Sequence, residues 1–92
     1  MTRFTVVWDP AIEDQLAELW MHRSDRYAIS HAADLIDLEL STDAEDKGHP
    51  VGDRLRVLVV APLDVLFEVS SDDRMVRIVD LHYDDPARYE RN

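Results

Sequence analysis

Apolar residues follow two different periods along this chain, and the change of period divides it. Ile12, Leu16, Leu19 and Trp20 recur at i, i+4, i+7 and i+8, one stripe of a helix with 3.6 residues per turn. Asp9 offers an N-cap oxygen just before them, and Pro10 suits the first helical position, where its missing N–H is no loss. Glu13 and Asp14 place negative charge near the positive end of the macrodipole. The pattern predicts a helix over residues 10–22. Ile29, Ala33, Ile36 and Leu40 repeat the spacing, widened by Ala32 and Leu35, and predict a second helix over residues 25–40, capped by Ser24 or Asp25. The short HRSD connection makes the two a helical hairpin, with alanines allowing close approach.

The period then changes from 3.6 to two. Before the helices, RFTVVW at residues 3–8 is β-branched and aromatic and reads as a strand. After them, STDAEDKGHPVGD at residues 41–53 carries both glycines and a proline and is expected to be a loop. LRVLVVA, DVLFEVS and MVRIVDLHY are three strand-length runs at residues 55–61, 64–70 and 75–83. Their connections are too short for anything but antiparallel hairpins. Val57 and Val59, then Val65, Phe67 and Val69, sit at period two and are expected to mark packed faces. Trp8 and Trp20, on apolar faces, are expected in the core. The expected fold is α+β, one domain over residues 1–92: an N-terminal strand and a helical hairpin packed on a small, mainly antiparallel sheet, in the order β-α-α-β-β-β.

Composition changes this picture in two places. With 20 acidic residues against 10 Lys and Arg, the net charge is −10, a surface that repels phosphate backbones unless the basic residues cluster. Direct DNA binding is therefore not expected. The absence of cysteine removes thiol catalysis, disulfides and thiolate metal sites. No signal peptide or run of about 20 apolar residues is apparent, so the expected location is the cytoplasm.

Candidate chemistry is sparse. His22, His31, His49 and His82 show neither HxxxH nor HxH spacing, and no glycine-rich phosphate loop exists, so neither a metal nor a cofactor is expected. Asp34 and Asp37, at i and i+3 on the second helix, could chelate but read first as a solvated face. LHYDDPARY, at residues 81–89, places His82 and Tyr83 at a strand end and Tyr89 six residues later, side chains able to exchange protons from a rigid base. Arg54, Arg56, Arg74 and Arg77, on or beside the hairpin strands, are the candidates for a local basic patch.

FTVVWDPAIEDQLAELW, the helical hairpin, and RLRVLVVAPLDVLFEVSSDDRMVRIVDLHYDD together resemble the RelE/ParE superfamily, toxins of bacterial type II toxin–antitoxin modules. The resemblance covers nearly the whole chain in element order and length. It implies a helical hairpin on an antiparallel sheet and a cognate antitoxin that wraps the toxin. It also implies one of two activities, ribosome-dependent mRNA cleavage or poisoning of DNA gyrase. In the nuclease branch, basic residues on the sheet and at the end of the last strand hold the phosphate, and a tyrosine near the C-terminus completes the site.

Carried over residue by residue, the nuclease pattern is incomplete. Tyr89 matches the tyrosine, and His82 falls where the family often has lysine or histidine. The key arginine is replaced by Tyr83, the next basic position by Asp85, and a middle-strand arginine by Asp64. Loss of one donor to a developing anion costs about 10²–10³ in rate in known cases. The resemblance thus implies a ParE-like toxin that acts by binding a protein target, with DNA gyrase the target known for that branch. The alternatives are an mRNA endonuclease using His82 and Tyr89 with Arg77 or Arg88, and an inactive toxin fold that only binds. Arg54, Arg56, Arg77, Tyr83, Asp34 and Asp37 are the candidates for contact with antitoxin or target. An antitoxin segment crossing Asp34, Asp37 and Glu39 should be rich in Lys and Arg.

Overall fold

Asp9 and Pro10 begin the first helix as their chemistry requires: the Asp9 carboxylate accepts from the Ala11 N–H at 3.0 Å, with Pro10 in the first turn. The computed structural model describes residues 1–85. Along the chain run β1 (Thr5–Trp8), α1 (Pro10–His22), α2 (Arg26–Leu40), a 3₁₀ turn (Ala44–Asp46), β2 (His49–Gly52), β3 (Leu55–Val60), β4 (Leu63–Ser70) and β5 (Met75–Tyr83). The strands form one sheet in the order β1-β5-β4-β3-β2, with β1 parallel to β5 and every other pair antiparallel. This is the expected α+β architecture with one strand added.

The added strand is β2, within the stretch expected to be a loop. HPVG has no alternation to reveal it, and all four residues are exposed. It pairs with β3 alone, and a sheet edge is where a proline is tolerated. Gly48, just before it, has φ +65, and a side chain there would collide with the Val57 carbonyl, so this close approach requires glycine. Arg3, expected in the first strand, forms an isolated bridge to Thr42.

Both helices cover the same face of the sheet. Ile12 from α1 and Ala32, Ile36 and Leu40 from α2 are buried against Leu63, Val65, Phe67, Val76, Ile78 and Leu81, and Ile29 on α2 is buried as well. Burial of side chains of this size contributes about 1.5–3 kcal/mol each. Val57 and Val59 do not belong to this core. They pair with Leu66 and Asp64 on the opposite face, and Val59 is 61% exposed. Trp20 also departs from expectation: it is 45% exposed at the end of α1, whereas Trp8 is half-buried and packs on the core. A helical stripe wider than its partner surface leaves its margin outside.

A β-bulge in β5 sets what each face carries. Phe67 pairs with Ile78 and Leu66 with Asp80, so Val79 is an extra residue without a partner on β4. The inward series therefore runs Val76, Ile78, Leu81, Tyr83, with a step of three at the bulge. Strict alternation from Ile78 would have turned Asp80 and His82 into the core. Side chains serve the disturbed backbone: the Leu81 N–H donates to the Asp80 carboxylate at 2.9 Å, and the Gln15 amide donates to the Leu81 carbonyl at 2.8 Å. Among the described residues, no helix is long and apolar enough to cross a membrane.

Candidate functional site

Among the described residues nothing packs over the sheet face away from the helices, and the bulge delivers His82 to it. His82 stands directly opposite Asp64 on β4, and Asp64 in turn opposite Val59 on β3. Leu66 and Val57 form the next row, half-buried, with Asp80 beside Leu66. Glu68 faces Arg77 in the row beyond. The surface is thus an apolar strip, Val57, Leu66 and Val79, between acidic groups, with one arginine and one histidine. Among the described residues, the His82 ring has no hydrogen-bond or ion-pair partner. A phosphate arriving here would meet Asp64, Asp80 and Glu68, and those charges oppose an RNA backbone.

Tyr83, one residue on, points the other way. It pairs with buried Leu63, and its hydroxyl donates to the Asp25 carboxylate at 2.8 Å. The Arg23 guanidinium lies over its ring, 4.6 Å from the centroid, and reaches Asp85 at 3.8 Å. These contacts tie the end of β5 to the connection between the helices. Burial chiefly, then the hydrogen bond and charge of Asp25 and the charge of Asp85, push the Tyr83 phenol from 10.0 to about 12, with Arg23 pulling it down. Asp25 does occupy the N-cap of α2, but its side chain makes no capping bond and serves Tyr83 instead.

The arginines do not form one patch. Arg56 shares the helix side of the sheet with Phe67, and its guanidinium donates to the carbonyls of Lys47 at 2.6 Å and Gly48 at 3.3 Å, holding the approach to β2. Arg54 sits in the β2–β3 turn with φ 63, and Arg74 in the β4–β5 turn with φ 52. Arg54 and Arg77 line one surface cavity of about 540 Å³, shared with Glu68, Asp72 and Asp73. Those three carboxylates outnumber the two guanidinium groups. Tyr89 and Arg88 lie outside the described residues.

Asp34 and Asp37 are exposed on α2, and their surroundings were not legible in the sequence. The Trp8 indole N–H donates to Asp37 at 2.7 Å, across 29 residues. Both aspartates border a groove of about 450 Å³ between α1 and α2, whose walls include Leu16, Ala17, Trp20, Met21, Ile29 and Ala33. Among the described residues, no three His, Asp or Glu side chains come close enough together to hold a metal ion.

Helical hairpin, sheet order and parallel outer strand together define a RelE-like toxin fold. In particular, the chain superimposes on the crystal structure of the RelBE2 toxin–antitoxin complex from Mycobacterium tuberculosis with a TM-score of 0.74 at 14% identity, over 90% of this chain and 93% of that one. At that identity the likeness is one of fold. No protein-family model matches the sequence, and neither does any curated protein.

Proposed function

We propose that this chain is the toxin of a type II toxin–antitoxin module, neutralised by a cognate antitoxin, and that it acts by occupying a protein target rather than by cutting RNA. The RelE-like fold supports the toxin reading, since its solved relative is a toxin–antitoxin complex. The single observation behind the binding mode is the open sheet face. It presents Asp64, Glu68 and Asp80 beside His82, with Tyr83 committed to Asp25 beneath the sheet. A ParE-like action, with DNA gyrase the target for that branch, rests on family analogy.

The competing reading is a ribosome-dependent mRNA endonuclease, and its favouring observation is that His82 and Arg77 share the open face. Induced expression in a bacterial host separates the toxin reading from an inert fold. Growth arrest is expected, relieved by co-expression of a cognate antitoxin, to be sought as a small reading frame beside this gene. Unimpeded growth at high expression of folded protein contradicts the toxin role.

A further inference from the structure

At the end of the sheet away from His82, the β4–β5 turn and Arg54 of the β2–β3 turn border the cavity of about 540 Å³, a volume within the range of about 300–1,000 Å³ usual for small-ligand sites. Its lining carries both signs of charge. Arg54 comes from the β2–β3 turn and Arg77 from β5, while Glu68, Asp72 and Asp73 come from the end of β4 and the turn after it. Val69 and Met75 supply apolar contact. The hydroxyls are already used: Ser70 donates to the Asp73 carboxylate at 3.1 Å, and Ser71 donates to Glu45. The charges, by contrast, have not satisfied one another. Glu68 and Arg77 stand directly opposite across β4 and β5. Yet among the described residues the side chains of Arg54, Arg77, Glu68 and Asp72 make no hydrogen bond or ion pair. A concavity that holds uncommitted groups of both signs suits a ligand that carries both.

The balance of those groups narrows the ligand. A phosphate, at about −2, would add to an excess of acid. A bare cation would leave the two guanidinium groups unanswered. An amino acid with a neutral side chain brings one cation for three carboxylates. A basic amino acid brings a carboxylate and two cations, the reverse of what the cavity presents. Guanidinium groups also match a carboxylate in shape, through two parallel N–H···O bonds. We propose that this cavity binds a free basic α-amino acid, arginine or lysine. Arg54 and Arg77 take its α-carboxylate, and Glu68, Asp72 and Asp73 take its α-ammonium and side-chain cation. The site lies five residues along β5 from His82 and is independent of the toxin reading.

The test uses the full ¹⁵N-labelled chain, titrated with L-arginine and followed by its amide resonances. Saturable shifts are expected, confined to residues 53–55 and 68–77, with a Kd of about 1 mM or tighter. L-Argininamide lacks the carboxylate and carries more positive charge, so plain attraction to an acidic protein would make it the better ligand. The proposal requires it to bind at least fivefold more weakly. Nα-Acetyl-L-arginine, which lacks the ammonium and mimics a peptide's C-terminal arginine, should also bind at least fivefold more weakly. Arg77→Gln and Asp72→Asn, both at exposed positions, should each weaken L-arginine about tenfold by removing a charge-assisted contact. Asp14→Asn, the same charge change as Asp72→Asn but on α1, should alter binding less than twofold. Absence of saturable shifts, or equal weakening by Asp14→Asn and Asp72→Asn, overturns the proposal. So does argininamide or acetylarginine binding as tightly as arginine, the second of these making the ligand a peptide terminus instead.

Discussion

The two faces of the sheet are built from alternate residues of the same strands, yet they do different work. On the helix side, Leu63, Val65, Phe67 and Ile78 are fully buried, and the polar groups there, the Tyr83 hydroxyl and the Arg56 guanidinium, are hydrogen-bonded. On the open side, Leu66 and Val57 are half-buried among Asp64, Glu68, Asp80 and His82, with nothing packed over them among the described residues. Stability therefore resides on one face, and the other is free to vary in chemistry without unfolding the chain.

The largest expected effect sets neighbouring residues against each other. Phe67→Ala should destabilise by about 3–5 kcal/mol, because it empties the centre of the core. Leu66→Ala, one residue away on the open face, should cost about 1–2 kcal/mol. Chemical denaturation of both variants measures the gap. Equal losses would mean that the open face is itself packed, and the division between faces would fail.

A second pair sharpens the comparison at the strand end. Tyr83→Phe should cost about 1–2 kcal/mol at neutral pH by removing a hydrogen bond to a charged carboxylate. The pH dependence has a definite sign. The folded phenol, near 12, holds its proton more tightly than an unfolded one near 10, so its contribution is complete below pH 10 and lost between 10 and 12. Wild type should therefore lose stability across that window more steeply than Tyr83→Phe. Parallel curves would show that the Asp25 contact is not formed in solution.

The smallest effect is expected at the adjacent residue. His82→Ala should change stability by less than about 0.5 kcal/mol, since its exposed ring meets no partner among the described residues. A loss beyond about 1 kcal/mol would give His82 a structural role and undo the contrast with Tyr83.

Most of the architecture was legible because it is written in periodicity. The stripe from Ile12 to Leu19, the one from Ile29 to Leu40, and the alternation of Val65, Phe67 and Val69 follow from local spacing alone. β2 was not legible, because an exposed edge strand needs no apolar pattern. The face of Val57 and Val59 was misread because alternation marks two faces without saying which one the helices cover. The candidate site was less legible still. His82 and Tyr83 lie side by side in sequence, and only the bulge at Val79, a property of pairing with β4, decides which of them is exposed. The Tyr83–Asp25 bond spans 58 residues and the Trp8–Asp37 bond 29, and neither leaves a local trace.

The central claim is that the open face binds and does not cut. Purified protein added to translating ribosomes programmed with a defined mRNA, with cleavage mapped by primer extension, tests it most directly. The account predicts no cleavage above background, for wild type and for His82→Ala alike. Codon-phased cleavage by wild type that disappears in His82→Ala would contradict it and make the open face a nuclease site.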